Sequence, residues 1–336
     1  MKKILLVLFA LVAVNNFAQQ DKSVSTWYQS PMMYNPGTVA TGAEDFGFFM
    51  NHRMQWLQLT KMRTEVLNAN FKIPDGFMGS NNFGIGINAM QDVTAGGENN
   101  LNYTTMSFAL PINYTLALDR SNKLSIGISP GFIQQSITDN NKWEDEWQGN
   151  GFGGTTSEAS LDQSFSTIDI STGLYYQHAM RNRTLIYGGV ALNHLNKPKI
   201  NFSFGSDRMY MQTVVHAGAN IVTNKRDLRV NPQFMYFKSG PSTNLVAGVS
   251  LEHILREGSS ITNINKTVTV DYGFYYRHKD ALITTFGFKF KGFKMGVAFD
   301  ANLSYLNQAT NSIGAIEVYL KTLHLYKKSS KRSKIK

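Results

Sequence analysis

Two short stretches have the spacing of sites that do chemistry. "GISPG", Gly127 to Gly131, matches the G-x-S-x-G nucleophile elbow. In that elbow the residue after the serine gives its backbone N–H to an oxyanion hole, and here it is Pro130, which has none. The stretch reads instead as a strand with a Pro-Gly bulge or kink. "GNGFGG", Gly149 to Gly154, satisfies G-x-G-x-x-G. A phosphate-binding version needs a strand before it and a helix N-terminus after it, whereas this one follows Trp143, Glu144, Asp145, Glu146 and Trp147 in an acidic surface loop.

The same cluster has carboxylates that suit calcium but lacks the ligand spacing of an EF-hand loop. A loop that meets a partner through Trp143 and Trp147 fits it at least as well. The seven histidines are scattered, without H-E-x-x-H. His194 and His216 fall on different predicted strands and read as hydrogen-bonded interior residues rather than metal ligands. With no cysteine there is neither a disulfide framework nor a thiolate metal site. These patterns supply no catalytic, metal or cofactor set, and the chain is not expected to be an enzyme.

The elements around these residues are strands. From Thr284 to Leu303 the apolar residues fall on alternate positions, Phe286, Phe288 and Phe290, then Phe293, Met295, Val297 and Phe299. A period of two puts them on one face, and Lys291-Gly292 between the runs reads as a tight hairpin. Similar runs predict fourteen strands between residues 46 and 326, among them one over 101–117 and one over 123–137. The even connections are mostly short and polar, and several odd ones are long, above all 138–163 and 196–208. Bacterial outer-membrane barrels segregate short turns and long loops in this way. A charge on the lipid face costs about 2–4 kcal/mol at midplane, so Glu252, Asp271, Arg277, Lys289, Lys294, Asp300, Glu317 and Lys321 are expected to face the lumen. The alternation slips a phase at Lys321–Leu325, which predicts a bulge or an exit from the membrane there. No run of 18 apolar residues follows the N-terminus, which excludes a helical membrane protein.

Lys2 and Lys3 precede an apolar run from Ile4 to Val14, and Ala18 precedes Gln19-Gln20, the pattern of a secretory signal cut after Ala18. The net charge of +10 falls to +2 when Lys2, Lys3 and the six cations of residues 327–336 are set aside. The body is nearly neutral, so a nucleic-acid partner is not expected. The predicted organisation is an all-β transmembrane outer-membrane β-barrel of about 14 antiparallel strands: signal peptide 1–18, N-terminal periplasmic or lumen segment 19–42, barrel 43–326 and basic tail 327–336.

Several phrases in order then resemble one family. "YQSPMMYNPGTVATG", with Asn35 and Pro36, resembles the start of mature PorP/SprF proteins, and "NHRMQW", with Arg53, Gln55 and Trp56, looks like their "NYRxQW". "VALNHLNKPKINF", with His194, Pro198 and Phe202, and "RVNPQFMY", with Pro232, are similar to two further elements. "GVAFDANLSYL" and "GAIEVYL", with Asp300 and Glu317, resemble the closing motif. The resemblance implies a non-enzymatic outer-membrane accessory of the type IX secretion system of gliding bacteria. It would support secretion or surface attachment of a large adhesin by binding the adhesin and components of the machinery. The even strand count implies that both termini are periplasmic. Residues 20–42 are expected in the lumen or under its periplasmic mouth, loop 138–163 against the adhesin, and the tail against a periplasmic partner or anionic lipid. A porin or substrate-specific channel is the other reading, and a hydrolase lacks a surviving nucleophile.

Overall fold

The computed structural model describes residues 22–42, 44–57, 62–73, 82–96, 101–137, 147–149, 151, 164–200, 208–223, 227–256, 267–304 and 310–324. The signal segment with Ala18, the loop residues Trp143, Glu144, Asp145 and Glu146, Phe202 and the tail 327–336 lie outside the described residues.

The strands in chain order are β1 (Phe46–Gln55), β2 (Met62–Lys72), β3 (Phe83–Gly96), β4 (Leu101–Ala109), β5 (Ile112–Ala117), β6 (Asn122–Ile137), β7 (Ser164–Ala179), β8 (Leu185–Asn193), β9 (Gln212–Val222), β10 (Leu228–Ser239), β11 (Ser242–Arg256), β12 (Val268–Arg277), β13 (Ala281–Phe290), β14 (Phe293–Asn302) and β15 (Ile313–His324). β1 pairs antiparallel with β2 on one side and β15 on the other, so the last strand meets the first and the sheet has no free edge. Within hydrocarbon, closure is what leaves every backbone group paired.

The single strand predicted over 101–117 is divided into β4 and β5 at Leu110-Pro111, because a proline cannot donate to the ladder. The register continues across the gap: Ala109 faces Gly131 and Ile112 faces Ile128 on β6, while Ala109 faces Asn88 and Ile112 faces Ile85 on β3. β4 and β5 are therefore one interrupted stave, and the barrel has fourteen. The kink expected at Pro130 is absent from β6 itself, whose pairing with β7 runs unbroken from Asn122 to Ser136. The interruption sits on the neighbouring stave, where the Pro130 carbonyl accepts from Leu110 N–H at 2.9 Å.

The faces are arranged as hydrocarbon demands. Phe286, Phe288, Phe290, Phe293, Met295 and Val297 point outward, 38–55% exposed, while Asp271, Asp300 and Glu317 point inward and are at most 3% exposed. Lys291 (φ 51°) and Gly292 (φ 86°) form the turn between β13 and β14, both in the left-handed region that a two-residue type I′ hairpin requires. The irregularity expected near Lys321 lies elsewhere. β15 stays in register with β1 through His324, and its shift is against β14 at Asp300/Ala301.

β1 starts and β15 finishes at one end of the barrel, the terminal end; the opposite, loop end carries connections 138–163 and 194–211. The segregation of loops is partial, since the loop end also has the tight turns Gly240-Pro241 and His278–Asp280.

Residues 22–42 lie inside the barrel as a compact plug with three 3-10 turns, Trp27–Gln29, Pro31–Met33 and Pro36–Thr38. Lys22 pairs with Asp92 (2.8 Å) toward the loop end of β3, and Lys72 at the terminal end of β2 donates to the Gly42 carbonyl (2.9 Å). The plug thus spans most of the depth of the lumen. The core is here too: Trp27 and Tyr34 pack with Phe49, Met235, Phe237 and Tyr319, and Tyr28 stacks on Tyr275 at 4.9 Å.

Candidate functional site

Two anchors hold the plug. The first is a buried ion cluster near the loop end, built by β1, β12, β14 and β15. The Glu317 carboxylate accepts from the backbone N–H groups of Ser25 (2.6 Å) and Thr26 (3.1 Å) and from the Thr26 hydroxyl (2.9 Å). It also accepts from the Asn51 amide (3.1 Å) and the Arg53 guanidinium. Asp300 accepts from Arg53 (3.2 Å), Arg277 (3.0 Å) and the Ser25 hydroxyl (2.7 Å). The Ser25 oxygen in turn accepts from Arg53 (2.7 Å) and Arg277 (2.6 Å). The two buried guanidiniums face the two buried carboxylates, and Arg277 also pairs with the more exposed Asp280 (3.0 Å), so each buried charge has an opposite partner, while Asp300 Oδ1 and Arg277 Nε are left without a hydrogen bond.

The second anchor is the turn at Asn35-Pro36-Gly37. Asn35 caps it by accepting from Gly37 N–H (2.8 Å), with Pro36 at the first turn position, a conformation its fixed φ favours. The Asn35 amide nitrogen donates to the Leu174 carbonyl (3.0 Å) and meets His216 Nε2 at 2.9 Å, and Tyr175 stacks on that imidazole. The wall is shaved to admit the turn. A methyl group at Gly173 would collide with Asn35 Oδ1, and one at Gly127 with the backbone of Pro36 and Gly37. Burial pushes the Tyr28 hydroxyl up to about 12 and raises that of Tyr34 as well, so both plug phenols stay neutral hydrogen-bonding groups.

The plug divides the lumen. A cavity of about 410 Å³ lies on its loop-end side, reached by Lys22, Met32, Met90, Gln135 and His194. Another of about 280 Å³ lies toward the terminal end, reached by Trp27, Met32, Glu44, His216 and Lys321. Met32 lines both.

The residues singled out from the sequence are placed as follows. Arg53, Asp300 and Glu317 meet in the ion cluster, and Gln55 accepts from Arg53 Nε at 3.4 Å. Asn35 and Pro36 form the turn. Trp56 follows the last residue of β1 with φ 49°, its backbone N–H donating to the Gly314 carbonyl. His194 pairs with Asp169 (2.9 Å) away from His216, and the two histidines line different cavities. The Pro198 carbonyl accepts from Met209 N–H, and Pro232 sits within β10 opposite Val249. Trp147 is 52% exposed. Among the described residues no three His, Asp or Glu side chains are grouped to hold a metal. Sequence reasoning missed Ser25, Thr26 and Asn51 as partners of the charges, and the inward Gly127 and Gly173. Glycines alternating with bulky outward residues on β6 and β7 were the available signal.

A search of curated proteins found no match. Among solved structures, the chain is similar to the CymD monoaromatic hydrocarbon channel at 10% identity and a TM-score of 0.48, over 89% of this chain and 94% of that one. It is similar to the Pseudomonas putida toluene transporter TodX at 10% and 0.48, over 86% and 91%, and to CdiB from Escherichia coli at 9% and 0.49, over 84% and 63%. The family profile described as type IX secretion system membrane protein PorP/SprF matches residues 16–321. With that match over nearly the whole length of a closed fourteen-stave barrel, the chain belongs to the PorP/SprF family of type IX secretion system membrane proteins and is an outer-membrane β-barrel.

Proposed function

We propose that the barrel is a non-catalytic accessory of the type IX secretion system that supports secretion or surface attachment of a large adhesin by binding protein partners. The observation that carries this reading is the occupied lumen: the chain's own N-terminal segment is held between the two cavities by a buried ion cluster. Such an interior suits a rigid docking body better than an open conduit.

In this reading the terminal end faces the periplasm, as an even stave number with both strand ends on one side allows. The loop end then faces outward, with Trp147 and the acidic residues before it toward the adhesin. The basic tail 327–336 meets a machinery subunit or anionic lipid. Arg53, Asp300, Glu317, Asn35 and Pro36 act as holders of the plug, and His194 and Pro198 shape the outer rim. A porin or substrate-specific channel remains the second reading, favoured by the cavities on both sides of the plug.

Protease shaving and mass spectrometry of cells with and without the gene separate the two. The expected outcome is that one large protein leaves the cell surface when the gene is absent. An unchanged surface with reduced small-solute uptake would instead establish a channel.

A further inference from the structure

We infer that the cavity at the loop end is a binding site for an uncharged, apolar segment of extended polypeptide. The inference rests on the protein-binding reading for the class of ligand, and on the lining for its chemistry. Four methionines, Met32, Met33, Met90 and Met209, surround this one space. Unbranched thioethers adapt to different apolar side chains, which is why surfaces that accept varied peptides are rich in them.

The charges on the lining are already matched within the protein, Lys22 with Asp92 at 2.8 Å and His194 with Asp169 at 2.9 Å. A charged ligand would have to break one of these pairs. What is unmatched is mostly of one kind: beside the Thr105 hydroxyl, the side-chain carbonyl oxygens of Asn68, Asn88 and Gln135 are buried, border the cavity and have no hydrogen-bond donor among the described residues. Asn68 is 1% exposed and Gln135 is 8% exposed. Asn68 and Asn88 face each other across β2 and β3, and their amide nitrogens are spent on the plug, at Ser30 Oγ (2.8 Å) and the Met32 carbonyl (3.1 Å). Their carbonyl oxygens are thereby held in place as acceptors.

Buried acceptors without donors are costly, and a ligand that brings N–H groups removes that cost. An extended peptide offers backbone N–H groups together with apolar side chains, whereas a pure hydrocarbon would leave all three oxygens bare. The cavity, about 410 Å³, is within the usual range of pre-formed ligand sites, about 300–1,000 Å³.

The test uses the full chain in detergent micelles. The probe is a fluorescein-labelled octapeptide of Leu, Phe, Ser and Thr with blocked ends, read by anisotropy. Ser107 borders the cavity from β4, so Ser107→Trp fills the space, while Gln135→Leu removes one acceptor with little change of volume. Heat-modifiable gel mobility verifies that each variant is a folded barrel. The expected result is saturable binding that weakens at least about tenfold in Ser107→Trp and about three- to tenfold in Gln135→Leu, the scale of one to two lost contacts. Equal binding by wild type and both variants would mean partition into micelles and would overturn the site. Complete displacement of the peptide by toluene would make it a hydrocarbon pocket. In cells, loss of a surface protein on gene deletion with full rescue by Ser107→Trp would sink the site and leave the accessory role standing. Peptide binding with an unchanged cell surface would sink the accessory role and leave the site.

Discussion

Glu317 accepts five hydrogen bonds with none of its surface exposed, and three come from the plug. Its charge therefore stabilises the docked segment as much as the wall. Replacing it by glutamine leaves Arg53 with Asp300 as its one carboxylate, shared with Arg277, which also holds Asp280 (3.0 Å), and breaking a buried pair from one side costs about 3–5 kcal/mol. The strand ladder closes without the plug, so the expected outcome of Glu317→Gln is release of residues 22–42 from an intact barrel. Chymotrypsin would then cut at Trp27, Tyr28 or Tyr34 while the heat-modifiable band persists. A plug that stays protected in this variant would show that the cluster is not what holds it. The sequence made the inward direction of Arg277, Asp300 and Glu317 legible, because a charge on the lipid face is costly. Their grouping was not legible, since Ser25 meets Asp300 and Glu317 across separations of 275 and 292 residues and no local pattern links them.

Among the elements, alternation of apolar and polar residues located nearly every strand, because a stave with lipid on one side must have a period of two. It failed at Leu110-Pro111, where the side-chain period continues across a break that only the backbone feels. Pro111 was the signal, as a proline within a run is poorly suited to a central strand. The plug has no period at all, so its path was beyond pattern reading. Its fit to the wall is instead recorded in glycines. A Cβ at Gly173 on β7 would overlap Asn35 Oδ1, whereas one at Gly188 on the next strand meets nothing nearer than 3.4 Å. Gly173→Ala is expected to destabilise the docked plug by about 1–3 kcal/mol, the scale of overpacking. Gly188→Ala should stay within about 0.5 kcal/mol of wild type. Urea unfolding in detergent, followed by tryptophan fluorescence because Trp27 lies in the plug, compares the two. Equal losses would mean that the shaved wall does not serve the turn.

At the scale of the whole molecule, the question is whether fourteen staves enclose a pore or a packed interior. Barrels of about eight strands are filled by their own side chains, and those of 16–18 leave an aqueous channel. Fourteen falls between, so the lumen needs more than side chains to fill it, and residues 22–42 supply the remainder. The division into a loop-end and a terminal-end cavity follows from that position, with Met32 bordering both. In planar bilayers the full chain is expected to show no steady open-pore current. A variant lacking residues 22–42 should conduct, because the inward arginines, carboxylates and lysines would then line a hydrated passage. Brief, rare openings in the full chain that become long-lived in Glu317→Gln would fit a plug held by the ion cluster. Steady conductance in the full chain, unchanged by the deletion, would mean that the segment does not seal the lumen, and the barrel would then be a channel whose N-terminal residues merely decorate its wall.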